Sequence, residues 1–198
     1  PISREIWRSE LTGKDGTMSN RRHYTLFAAA YVLTIYSTSG WMRHLSTLAR
    51  QIVGEKLGVL VTLGLILVLA AVLLIFRHVL RRRHILPLLP VLLSYGLVLW
   101  WLSIPEERFH LLQYGLLCVL CDKALPDRLQ GLPRHGLVIL LVTLAGIGDE
   151  LIQWLRPNRV GDIRDVLTNS IAAVLAQALI AILNGGHRGT GRRNTPDE

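Results

Sequence analysis

The chain has 198 residues, of which 51% are hydrophobic, and its mean hydropathy is +0.37. That is one domain in length but more apolar than a soluble domain, and the apolar residues come in long blocks. Its net charge of +8 and pI near 10.2 invite a nucleic-acid partner, which the placement of the charges excludes below. Two cysteines are too few for a disulfide framework.

In chain order, residues 1–23 form a polar N-terminal tail and residues 24–42 a first apolar span. The start of that span, "MSNRRHYTLFAAAYVLTIYSTSG", superficially resembles a signal peptide. Its apolar stretch is long for that purpose, so it reads as an uncleaved span. Residues 43–56, "RHLSTLARQIVGEK", place Leu45, Leu48, Ala49, Ile52 and Val53 at helical spacing. They read as an interfacial amphipathic helix or a plain loop on the outer surface. Residues 57–76 run for 20 positions without a charge, and at about 1.5 Å per residue such a helix matches a hydrocarbon core of roughly 30 Å. Further spans follow at 85–102, which contains Pro87 and Pro90, and at 107–124, 133–155 and 165–183. Spans tolerate proline where neighbours satisfy the freed backbone groups. Residues 184–198 are a Gly/Arg-rich tail that composition alone marks as flexible. The fold expected is all-α: a polytopic membrane bundle of about six transmembrane helices, forming a single domain over 24–183.

Lysine and arginine then orient the bundle. Fifteen of the 22 lie in the N-terminal tail, residues 77–84, residues 123–135 and the C-terminal tail, and only seven in the alternate segments. The positive-inside rule puts both termini in the cytoplasm, and so places the chain as a multi-pass protein of the cytoplasmic (inner) membrane. The basicity is therefore a topology signal and implies no nucleic acid. Cys118 and Cys121 form a "CVLC" in an apolar run with no second pair. They read as small residues packing between helices, in preference to a redox or metal motif.

This topology brings the polar residues of three spans to one depth. Asp149 and Glu150 lie five to six residues inside the end of the fifth span, roughly 8–9 Å deep. Gln153 shares their face, Asn169 lies one turn below Asp165, and the fourth span places Glu106, His110 and Tyr114 at i, i+4 and i+8. Glu106, His110, Asp149, Glu150, Gln153, Asp165 and Asn169 thus occupy the outer third of the membrane, which suggests one wet pocket open to the outside. Glu150 and Asp165 are expected to approach His110, directly or through water. Structural roles compete: Asp162 as a cap for the last helix, Asp165 favoured by its dipole, Asn169 bonding across helices, and Arg156 and Arg159 pairing with Asp162 and Asp165. They explain Asp149 and Glu150 poorly, because adjacent buried acids repel unless paired or protonated.

"EERFHLLQYGLL" followed by "DELIQWLRPNRVGDIRDVLTNSIAAVLA" resembles the VanZ-like family of small membrane proteins, mainly over residues 104–180. His110 and Tyr114 match the family's first element; Asp149, Glu150, Gln153, Arg159, Asp165 and Asn169 match the rest in order. Many members carry a lysine where this chain has Glu107, with Arg108 adjacent, and Ala172 stands where a glycine is usual. The resemblance implies a site and an envelope context, without a reaction.

Two functions follow. One is an enzyme or binder for a lipid-linked or envelope small molecule: Glu150 or Asp149 as acid/base pair, His110 as a second proton carrier, and Arg159 holding an anionic head group. Tyr114, Gln153 and Asn169 would orient the rest. No cofactor is implied. A divalent-metal version would use Glu106, His110, Glu150 and Asp165, but no compact ligand motif supports it, so no metal is assigned. The other is a non-catalytic accessory subunit of a larger membrane complex, contacted through the polar tails, with Ile6, Trp7 and Leu11 as a candidate contact.

Overall fold

Ala172, Ala173 and Ala176 lie on one buried face of the last helix, and that face brings the helices of the core together. Side chains this small let helix backbones approach closely, which is how bundles pack where lipid is as apolar as leucine. The computed structural model describes residues 2–78, 82–102, 104–155 and 162–184. They form six helices: α1 Ile2–Val53, α2 Leu57–Ile75, α3 Arg82–Trp101, α4 Pro105–Ala124, α5 Leu132–Trp154 and α6 Ile163–Asn184. There is no strand among the described residues.

Glycine and proline set the boundaries. Gly54, at φ +64°, ends α1 in a conformation other residues seldom adopt, and a 3-10 turn over Gly54–Lys56 leads into α2. Gly131, at φ +66°, turns the chain into α5. Pro105 opens α4 at a position where no backbone N–H is needed. Pro87 and Pro90 sit inside α3 as expected.

The helix over 24–42 is longer at both ends than the expected span. It begins at Ile2, within what reads as a polar tail, and runs on through 43–53 without a break. The amphipathic reading of 43–56 is correct in periodicity, but Leu45, Leu48 and Ile52 are exposed, so this stripe does not roof the bundle.

Four stretches of the described residues are long and apolar enough to cross a membrane: His44–Ile75, His84–Trp101, Leu132–Trp154 and Ile163–Asn184. Residues 24–42 and 107–124 are not among them. For the second of these the reason is position. α4 packs against α1, α2, α5 and α6, so Glu107, Tyr114, Cys118 and Asp122 face protein, and its composition is that of an interior helix. α2 is the opposite case, with Val61 its only buried residue and a surface that suits hydrocarbon.

The core is a layer of Leu111, Tyr114, Leu117 and Cys118 from α4, Val138 and Val142 from α5, and the α6 alanines, joined by Ala28 and Ile35 of α1. Cys118 and Cys121 are free thiols. Cys118 is buried against α6, its Sγ 3.5 Å from the Ala173 carbonyl and accepting from Gln177 Nε2 at 3.2 Å, which is the packing role expected of the "CVLC". At this end of the bundle Arg134 Nε donates to Asp122 Oδ1 at 2.8 Å, and its Nη1 reaches the carbonyls of Pro126 and Leu129. One guanidinium therefore neutralises a buried carboxylate and fastens the α4–α5 loop. Arg21 pairs with Asp127, and Lys123 lies over the Tyr24 ring. The result is a bundle with a basic end and an acidic end.

Candidate functional site

At the acidic end, the site begins with two adjacent carboxylates on the inward face of α5. Asp149 is 2% exposed and Glu150 6%. Each must find hydrogen-bond donors, because a buried carboxylate without them costs several kcal/mol. Gln153, one turn on, supplies both: its Nε2 donates to Asp149 Oδ2 at 3.2 Å and to Glu150 Oε1 at 3.1 Å. Tyr114 of α4 donates its hydroxyl to Asp149 Oδ2 at 3.4 Å, and Ser39 of α1 also hydrogen-bonds Asp149. Glu150 Oε2 accepts the backbone N–H of Asp162 at 2.9 Å. Asp162 in turn caps α6, its Oδ1 accepting the Arg164 N–H at 2.9 Å. Glu150 therefore holds the residue that starts the next helix.

Two glycines admit the neighbours. A Cβ on Gly146 would stand 3.0 Å from Asn169 Cβ and 3.4 Å from Tyr114 Cε1, so its absence lets Asn169 and Tyr114 close on α5. A Cβ on Gly148 would collide with the Tyr36 hydroxyl, which donates to the Ala145 carbonyl at 3.0 Å. His110 stacks on Tyr114, ring centroids 5.9 Å apart at 21°, and lies within electrostatic range of Asp149. Asn169 is fully buried, and neither its Oδ1 nor its Nδ2 has a hydrogen-bond partner. Asp149 Oδ1 is likewise buried without one. Buried polar atoms of this kind call for a partner, such as an ordered water, an ion or a ligand group.

The structure thus gathers Asp149, Glu150, Gln153, Tyr114, His110 and Asn169. Asp165 stands further along, in the first turn of α6 and near Glu107. Arg159, and with it Arg156, lies outside the described residues, as does the side chain of Glu106. Among the described residues no group of three or more His, Cys, Asp or Glu converges to hold a metal. Asp149 and Glu150 are buried and hydrogen-bonded, and neither lines the groove of about 430 Å³ elsewhere in the bundle.

Two contributions escaped the sequence reading. Tyr36 and Ser39 come from α1, where "YSTSG" offered several hydroxyls and no sign of which one points inward. Glu107 is buried, and its Oε2 lies 3.5 Å from Arg164 Nη2. Arg164 also stacks on Trp101, 4.8 Å from the ring centroid. The Glu107 carboxylate thus meets an arginine of α6.

A family model described as VanZ/LLP1 matches residues 6–184, nearly the whole chain. The chain belongs to the VanZ/LLP1 family. No curated protein and no solved structure matches it. The VanZ/LLP1 match extends well upstream of residues 104–180, taking in α1, α2 and α3. That accords with α1 packing on α5, with Tyr36 on the Ala145 carbonyl and Ser39 on Asp149.

Gln153→Leu removes the donor shared by two buried carboxylates and should destabilise the protein by about 2–4 kcal/mol. Adding Asp149→Asn should recover at least half of that loss, because one of the two charges is gone. Thermal unfolding in detergent measures both, and a double variant less stable than the single would contradict the shared-donor account.

Proposed function

We propose that this VanZ/LLP1 protein crosses the cytoplasmic membrane six times with both termini inside, and that its acidic end binds or processes a lipid-linked or envelope small molecule at the outer face. The single observation that carries the reading is the set of open polar atoms: Asp149 Oδ1 as acceptor, Asn169 Nδ2 and Oδ1 as donor and acceptor, all buried. A hydroxyl or amide of the ligand would donate to Asp149 and accept from Asn169. Tyr114 and Gln153 hold Asp149 in place, and the neighbouring His110 is the second group able to carry a proton. Glu150 belongs to the same hydrogen-bonded unit through Gln153. In this reading Arg159 meets an anionic head group at the mouth, with Glu106 and Asp165 as further polar contacts.

A second reading, that of an accessory subunit of a larger membrane complex, has the length of α1 in its favour. Its 52 residues make a helix of about 78 Å, more than twice a hydrocarbon core of roughly 30 Å. The turns before residue 24 are therefore left for a partner.

Topology is tested by cysteine labelling in intact cells, in a background lacking Cys118 and Cys121. Ser46→Cys and Val160→Cys should react with a membrane-impermeant reagent. Reaction of Thr190→Cys under the same conditions would overturn the orientation.

The two functional readings separate on variants assayed in parallel for the envelope phenotype of the deletion strain. Asp149→Asn and Glu150→Gln should each abolish complementation with normal expression and insertion, whereas removal of residues 1–17 should leave it intact. Normal complementation by both site variants, with loss of assembly on truncation, would establish the accessory reading instead.

A further inference from the structure

Between α2, α3, α4 and α6 lies an apolar groove of about 430 Å³, walled by Leu69, Leu99, Leu116, Leu179 and Leu183 among others. It is separate from the acidic cluster, and its two ends differ. Beyond its acidic end, outside the lining, Arg108 joins the helices: Nη1 donates to the Gly58 carbonyl at 2.9 Å and to Thr62 Oγ1 at 2.6 Å, while Nε donates to the Leu102 carbonyl at 2.9 Å. One side chain thus ties α2 and the end of α3 to α4. At the basic end the groove is bordered by Asp122, Lys123 and Asn184. Arg134 already neutralises Asp122, so among the described residues that line this mouth the charge presented is the Lys123 ammonium.

The shape and the charge at its mouth indicate the occupant. The groove follows α4 from Leu111 to Lys123, about 18 Å of helix. An extended hydrocarbon chain can lie along that apolar length with a polar head at the Lys123 end. An apolar slot within hydrocarbon gains dispersion contacts only when it is filled. We infer that the groove retains one chain of an anionic glycerophospholipid from the leaflet at the basic end, with the phosphate at Lys123. The inference rests on the proposed membrane-spanning arrangement but is independent of the chemistry at Asp149.

Gly115 provides the test. It lines the groove, and a Cβ built on it meets nothing within 4 Å, so Gly115→Leu directs its side chain into the slot. The protein is reconstituted into vesicles of phosphatidylcholine with a minority of phosphatidylglycerol, re-solubilised in mild detergent and purified, and its bound lipid is quantified by mass spectrometry. The unaltered chain should retain one phospholipid, enriched in phosphatidylglycerol over the bulk by about five-fold, the value of a single lysine at a membrane surface. Gly115→Leu should reduce retention to background with its thermal transition preserved, and Leu116→Trp provides a second block should Gly115→Leu not fold. Lys123→Glu should retain lipid and lose the enrichment. Equal retention by the folded blocked variant, or bulk lipid ratios on the unaltered chain, would overturn the inference while leaving the Asp149 and Glu150 results untouched.

Discussion

One amide group carries the acidic end of this protein. Gln153 Nε2 sits between the carboxylates of Asp149 and Glu150, which would otherwise repel each other in a setting with little water to screen them. Beyond that bridge, each acid meets further donors. Glu150 takes the Asp162 N–H, Asp162 caps α6, and the start of α6 is fixed relative to the end of α5. Asp149 takes Tyr114 and Ser39, which joins α4 and α1 to the same point. Four helices are thus registered by hydrogen bonds to two adjacent residues. A network of this kind specifies one arrangement only when its members are satisfied, which makes the open atoms at Asp149 and Asn169 stand out.

The remaining charged groups in the bundle obey the same constraint. Glu107 has Arg164, Asp122 has Arg134, and Arg108 is spread over two carbonyls and a hydroxyl. α4 carries one member of each set, which explains how a helix with several charges occupies the centre of an apolar bundle. Its polar residues are the points at which the other helices attach, while α2 has the surface most exposed and most apolar.

The sequence showed the all-helical architecture, the approximate extents of α2, α3, α5 and α6, and most of the acidic cluster. Long charge-free blocks report lipid contact directly, and the spacing of Asp149, Glu150 and Gln153 puts them on one face of any helix. What it did not show arises from tertiary contact. Position within a bundle is invisible to hydropathy, so α4 reads as a weak span although it is the central helix. The continuation of α1 through residues 2–23 and 43–53 runs against polar composition, and the choice of Ser39 among neighbouring hydroxyls depends on the rotation of α1. The Glu107–Arg164 pair joins residues 57 positions apart, and nothing local in either segment announces it. The sequence shows the polarity of the cluster but not how its oxygens are shared out among Gln153, Tyr114 and the Asp162 N–H, which depends on how the helices meet.

The central claim is that Asp149 Oδ1 and the Asn169 amide form a place for a polar group the protein does not itself provide. A cryo-electron microscopy map of the chain in a lipid nanodisc, at a resolution that shows ordered water, tests it most directly. The account predicts density that is not protein, water or ligand, within hydrogen-bonding distance of both Asp149 Oδ1 and Asn169. A dry contact, with the Asn169 amide turned onto a protein donor or acceptor and nothing between it and Asp149, would contradict it.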